Sequence, residues 1–387
     1  MTRRAAASLW RSKPSLRRAA ASLRRAPASF PRAAAHQLAA LGAASVALLA
    51  LGGAESLHAA TPSDSPTGLQ SEVVFADYSP LAGSPELVRR LLSPLTVMQM
   101  RSQSARAGKP LREQPIDLAN EKFTLYVPTR TPARGYALLV FVPPWRGAVV
   151  PPHWIAALDR HDMIFVSASN SGNDADVLDR REPLALLAAH NVRQRYPVDP
   201  DRVYIGGFSG GSRVAMRLAV AYPDVFRAAL LNAGSDSIGD GQLPLPAADL
   251  FRQFQDSTRL VYLTGQDDSV GLGQDVRSRE SMQEWCAFDL QTQLILRAGH
   301  EAAGPAALDH ALDALADHQR PDPQRLAACR ARVAAGLAAG LERAKGLLER
   351  GKSAEAWSLL KKIDTRYGGL AAPDSLELAR QIDSASP

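Results

Sequence analysis

The sequence predicts an α/β fold: a mostly parallel sheet with helices on both faces, followed by a C-terminal helical hairpin. Three observations carry that prediction. Short runs rich in β-branched and large apolar residues, such as 137–142 (ALLVFV), 163–166 (MIFV), 228–231 (AALL) and 260–263 (LVYL), recur between segments whose apolar residues follow helical spacing. These runs are apolar throughout rather than alternating, as expected of strands covered on both faces. Beyond Pro321 strand patterns cease and only helical periodicity remains.

In chain order, residues 72–75 and 123–127 read as early strands, with a helix near 85–92 between them. The run 137–142 is stopped by Pro143-Pro144, because proline cannot donate to a sheet ladder. Helix is expected over 153–158 and 183–194 and strand over 163–166. A turn at 197–200 leads into a strand centred on Val203-Tyr204-Ile205. The later pairs are strand 228–231 and helix 247–254, strand 260–263 and helix 277–286, and strand 292–296 and helix 306–316, with Pro305 placed to open the last. Residues 326–350 and 353–367 form two amphipathic helices around Gly351-Lys352, and 373–383 reads as a third. One such hairpin resembles a single tetratricopeptide-type unit, but a solenoid needs about three repeats. A helical cap on the core is the plainer expectation, a partner-binding hairpin the alternative.

The net charge of +6 is unevenly spread. Residues 1–60 hold nine basic residues and one acid, Glu55, for a net +8, which leaves the remainder at −2. The basic stretch runs into an apolar segment, 38–51, and then into small residues ending at Ala59-Ala60. That order reads as a basic leader and signal peptide over 1–60 rather than a nucleic-acid-binding arm, with a periplasmic or secreted product. A membrane anchor over 38–54 is the alternative, although the segment falls short of the usual ~20 residues. Residues 61–70, rich in Pro, Ser and Thr, read as a linker. The α/β domain then covers 71–320 and the C-terminal helices 321–387. Only transient membrane contact, during export, is expected.

The residues most telling of chemistry are Gly207-Phe208-Ser209-Gly210-Gly211, between the Val203 strand and a helix carrying Val214, Ala215, Leu218 and Ala219. Such a strand-to-helix turn needs small flanking residues and leaves its central hydroxyl exposed above the sheet edge. A serine hydroxyl is a weak nucleophile at neutral pH. It needs a base within hydrogen-bond reach and a carboxylate to fix the tautomer of that base. Two later strands end in suitable groups, Thr264-Gly265-Gln266-Asp267-Asp268 and Arg297-Ala298-Gly299-His300-Glu301. Both lie at carboxyl ends of strands, where sites form in open α/β sheets. The spacing alone leaves Asp267 and Asp268 both open.

With GGFSGG, TGQDD and AGHE in this order, the chain resembles α/β hydrolases of the group that includes polyhydroxybutyrate depolymerases and feruloyl esterases, over about 123–316. The resemblance implies Ser209 as nucleophile, His300 as base and Asp268, three positions after the strand's glycine, as the acid. It implies cleavage of a carboxylic ester through an acyl-enzyme, and Gly210 as one backbone oxyanion donor. The chain departs from the group after the third strand, where many relatives have His-Gly and this chain has Pro143-Pro144-Trp145-Arg146-Gly147. Proline has no N–H, so the second donor is expected at Trp145 or beyond.

The turn Asn170-Ser171-Gly172-Asn173 is available to bind a polar group of the substrate, with Asn170 the candidate; a plain polar turn is the competing reading. No cofactor or metal is implied, since neither a Cys-x-x-Cys pair nor a histidine cluster is present. The expected partner is a small or oligomeric ester, with no nucleic acid. Cys286 and Cys329 are the only cysteines, and an oxidising compartment would let them pair, two free thiols being the alternative. A serine peptidase on the same fold, or a catalytically silent fold used for binding, are the other functional readings.

Overall fold

The structure is a computed structural model and describes residues 65–108, 112–241 and 243–385. The expected leader and the possible anchor over 38–54 lie outside the described residues.

Eight strands form one sheet: β1 (Gly68–Val73), β2 (Phe123–Val127), β3 (Tyr136–Val142), β4 (Met163–Ala168), β5 (Val198–Phe208), β6 (Ala228–Asn232), β7 (Arg259–Gly265) and β8 (Leu290–Ile295). Their spatial order is β1-β2-β4-β3-β5-β6-β7-β8. The strands from β3 to β8 are mutually parallel, while β2 runs antiparallel to both β1 and β4. The helices are α1 (Ser84–Leu91), α2 (Pro94–Arg106), α3 (Ile155–Arg160), α4 (Glu182–Arg195), α5 (Gly210–Ala221), α6 (Ala248–Ser257), α7 (Ser269–Glu284), α8 (Pro305–Ala316), α9 (Pro323–Glu349), α10 (Ser353–Tyr367) and α11 (Asp374–Ser384).

The apolar runs fold as strands because both sides of the sheet are covered. Along β3, Leu138, Val140 and Val142 join one apolar layer with α4, α5 and α6, whereas Ala137, Leu139 and Phe141 join the other with α3 and α8. Every residue of β3, β4, β6 and β7 is buried. Each fully buried Leu or Phe contributes roughly 1.5–3 kcal/mol, so the sheet gives a rigid base for the loops at its edge. An internal ion pair ties two of the covering helices together: the Arg217 guanidinium of α5 meets the fully buried Glu182 carboxylate of α4 at 2.6 Å.

The structure departs from the expectations in four places. β1 begins at Gly68, within the stretch read as linker, because Gly68, Leu69 and Gln70 pair with Val127, Tyr126 and Leu125 of β2. Even ahead of the strand, the Tyr196 hydroxyl donates to the Pro66 carbonyl. Helix α2 was not visible in the pattern because it buries only Leu95 and so lacks an apolar stripe. Helix α7 starts at Ser269, directly after the acid loop, rather than near 277; Gly271 and Gly273 mask its first turns. The C-terminal part is more than a hairpin: α9, α10 and α11 enclose, with Leu95 of α2, a separate core of Ala344, Leu360, Ile363, Leu378 and Ile382.

That helical part is fastened to the sheet domain by Cys286 and Cys329, which form a disulfide across a sequence separation of 43 with Cα atoms 5.8 Å apart. Arg366 on Glu284 and the Trp285–Tyr367 ring pair lie alongside. Closing a loop of this size is worth about 4 kcal/mol in the chain-entropy account. Cys329→Ser is therefore expected to lower unfolding stability by about that amount, measured by urea unfolding with each protein's own slope, since losing the cross-link also expands the unfolded chain. Equal midpoints for the variant and the oxidised parent would contradict this.

Candidate active site

Strand β5 delivers Ser209 to the sheet edge in a conformation that side chains rarely adopt, with φ 54° and ψ −120°. The Ser209 N–H donates to the Asn232 carbonyl at 2.8 Å, which pins the turn to β6. The close return of α5 over β3 and β5 requires glycine. A Cβ on Gly211 would stand 1.9 Å from the Val142 carbonyl oxygen, and one on Gly207 only 2.4 Å from the Gly211 carbonyl carbon. The local sequence thus forces a sharp, strained turn with the hydroxyl outward.

The next two strands end side by side. The Gln266 N–H donates to the Ile295 carbonyl and the Asp267 N–H to the Ala298 carbonyl, each at 2.9 Å, joining the loop after β7 to the loop after β8. These loops bring the remaining groups to the serine. His300 Nε2 lies 2.8 Å from Ser209 Oγ, and His300 Nδ1 lies 2.7 Å from Asp268 Oδ2. The other carboxylate oxygen, Oδ1, accepts the Gly271 N–H at 2.9 Å and caps α7.

Burial by itself pushes the Asp268 carboxyl up. The Gly271 N–H and the His300 ring outweigh it, so the group sits below the usual carboxylate range and stays ionised at neutral pH. Asp267 is exposed and Asp268 buried, so the fold separates the two adjacent acids. Three loops from three strands therefore join a hydroxyl, an imidazole and a carboxylate in one hydrogen-bonded line. A proton can leave Ser209 Oγ for His300 Nε2 while the carboxylate balances the charge that forms on the ring.

Around this line, the Phe208 ring lies 5.2 Å from His300 and 6.1 Å from the partly exposed Trp145 ring, giving an aromatic wall. Phe208 sits inside the serine motif, and its position there was the available signal. The loop after β3 is held by the Asn170–Asn173 turn: the Asn173 N–H donates to the Pro144 carbonyl and the Asn170 N–H to the Arg146 carbonyl. Of the two asparagines, it is Asn173 that reaches the nucleophile turn. A Cβ on Gly210 would meet Asn173 Oδ1 at 2.2 Å, whereas Asn170 turns outward at φ 53° and its carbonyl receives Arg180.

Two clefts, of about 520 and 440 Å³, lie elsewhere. One is lined by Gln291, Gln293 and His310, the other by Leu95, Lys361 and Asp364; neither includes Ser209, Asp268 or His300. Among the described residues one group, His161, Asp309 and Asp313, has the composition of a metal site, with ligand atoms within 4.8 Å of one another. Within this group Asp309 is paired with the Arg160 guanidinium and with His161 Nε2.

Residues 167–284, just under a third of the chain, match the family model described as "Esterase PHB depolymerase". The strand order and directions are those of the α/β-hydrolase fold, and the matched segment resembles the polyhydroxybutyrate depolymerase group of esterases. Similar solved structures include S-formylglutathione hydrolase from Staphylococcus aureus, at 12% identity over 51% of this chain and 91% of that one, TM-score 0.38. They also include Thermogutta terrifontis esterase 2, at 18% identity over 53% and 90%, TM-score 0.38. A dipeptidyl-aminopeptidase-IV-type protein from Bacteroides ovatus gives 13% identity over 50% of this chain and 32% of that one, TM-score 0.38, so this chain spans about a third of its length. A search of curated protein sequences returned no match.

Proposed function

We propose that the protein is an exported serine esterase in which Ser209, His300 and Asp268 form a catalytic triad. The observation that carries this reading is the unbroken line from Ser209 Oγ through His300 to Asp268, at 2.8 and 2.7 Å. In the first half-reaction Ser209 Oγ attacks the ester carbonyl as its proton passes to His300 Nε2. The alcohol then leaves with that proton, and the acyl group stays on Ser209. In the second, His300 draws a proton from water, the resulting hydroxide attacks the acyl carbon, and the acid is released as Ser209 regains its proton. Asp268 holds the ring with Nδ1–H toward the carboxylate, which leaves Nε2 free to accept. The Cys286–Cys329 disulfide supports the exported setting, since such bonds persist in oxidising compartments.

The Gly210 N–H, in the first turn of α5 where no intrahelical acceptor exists, is the first oxyanion donor in this reading. Trp145 supplies the second, as the first residue after β3 with an N–H. Trp145→Ala keeps that donor and is expected to change mainly KM. Trp145→Pro removes it and is expected to lower kcat by about 10²–10³ at comparable KM. Circular dichroism and melting must first show both variants folded; equal turnover in two folded variants would move the donor to Arg146 or Gly147.

A fluorophosphonate probe tests the whole reading. Stoichiometric labelling at Ser209, accompanied by loss of p-nitrophenyl ester turnover and absent from Ser209→Ala, is the expected result. An unlabelled but folded protein would favour the catalytically silent alternative.

A further inference from the structure

The loop that carries His300 is held at Ala303, three residues on, and the group holding it is not part of the serine–histidine–aspartate line. Asn232 ends β6, a strand otherwise made of Ala and Leu, and is fully buried, so its polar side chain must be bonded internally or destabilise the fold. Three of its polar groups bond to segments that carry or adjoin the site. Its carbonyl accepts the Ser209 N–H at 2.8 Å. Its Oδ1 accepts the Ala303 N–H at 2.9 Å. Its Nδ2 donates to the carbonyl of Leu263, the β7 residue opposite it in the sheet register, at 3.0 Å. Ala303 is gripped from its other side as well, because the buried Trp154 indole donates to its carbonyl at 2.8 Å.

Resting on the serine-esterase reading above, we propose that Asn232 is a positioning residue that sets His300 against Ser209, with Trp154 completing the clamp on Ala303. The chemistry of the side chain explains why it is asparagine. An amide both accepts and donates in one plane, which Asp, when ionised, and Leu, of similar size, cannot do. Without it the buried Ala303 N–H loses its partner and the Leu263 carbonyl keeps only the Ala233 N–H, so the histidine loop is held at Ala303 by the Trp154 bond alone while the Ser209 turn stays in place. The base then spends less time within bonding distance of the nucleophile. Substrate contacts are untouched, so turnover falls rather than binding.

The test uses the full chain and p-nitrophenyl esters. Asn232→Ala, with circular dichroism like that of the parent, is expected to lose roughly 10–100-fold in kcat with KM within about two-fold, since small misplacements of catalytic groups carry costs of that order. In a His300→Ala background the same substitution is expected to change the residual rate by less than about two-fold, because residues acting as a unit are not additive. A general weakening of the fold would lower both backgrounds alike, and that outcome overturns the proposal. So does a kcat within two-fold of the parent while Ser209→Ala is inactive. If Asn232→Ala does not fold, Trp154→Phe, which keeps an aromatic ring against Phe141 and Phe165 while removing the indole donor, decides by the same kcat, KM and double-variant pattern. Activity retained in Ser209→Ala would instead refute the esterase reading itself, and this inference with it.

Discussion

Ser209→Ala is expected to fold as the parent does and to lose up to about a million-fold in ester hydrolysis, because members of such a triad act as a unit. The substitution removes one oxygen from a partly exposed position, so packing is left alone. It also relieves nothing essential: the positive φ of 54° is strained for alanine as it is for serine, and the Ser209 N–H bond to Asn232 is a backbone bond that survives. What disappears is the acceptor of the acyl group. Water activated by His300 and oxyanion donors alone would still leave roughly 10³–10⁴-fold over the uncatalysed rate. The measurement is kcat on a short p-nitrophenyl ester, with melting temperature as the folding control. A folded variant keeping even a tenth of the parent's rate would end the assignment.

Ser209 and His300 were legible as candidates because each depends on local pattern. A serine among glycines between an apolar strand and an amphipathic helix is determined by steric need, and a histidine just past a strand end can sit only at the sheet edge. The parallel character of the sheet followed from its all-apolar runs, since parallel strands between two helical layers leave no polar face. What remained unread depends on contacts between distant segments. Asn173 was hidden behind Asn170 because only the returning loop after β3, bonded at Pro144 and Arg146, decides which asparagine faces Gly210. Asn232 carries no local signal, because the Ala303 N–H that donates to it lies 71 positions later. Helix α2, and the separate core that the three C-terminal helices form with its Leu95, escaped for a related reason: each buries a sparse set of residues that forms an apolar surface only jointly.

Asp268→Asn tests the point on which spacing alone was silent, and the expected loss in kcat is about 10⁴-fold, the size found when a triad carboxylate becomes an amide. The amide is the same shape and its oxygen can still accept the Gly271 N–H, so α7 keeps its cap. The other end changes sign: an Nδ2–H₂ facing His300 Nδ1 is a donor where the ring needs an acceptor. The imidazole then takes the tautomer with its proton on Nε2, and that nitrogen can no longer receive the proton of Ser209. Asp267→Asn, one residue earlier, changes an exposed carboxylate whose loop is held through its backbone N–H to Ala298, so its kcat is expected within about two-fold, as for most surface substitutions. A second readout follows from linkage. Because the folded Asp268 carboxyl lies below its usual range, its ionised form stabilises the folded state in full above the unfolded chain's value and loses that contribution as pH falls through the folded value. The amide introduced by Asp268→Asn does not titrate, so that part of the parent's acid-induced loss of stability is expected to be absent from this variant and present in Asp267→Asn. A larger loss of kcat at Asp267 than at Asp268 would mean that the carboxylate bonded to His300 in this structure is not the one that serves it during turnover.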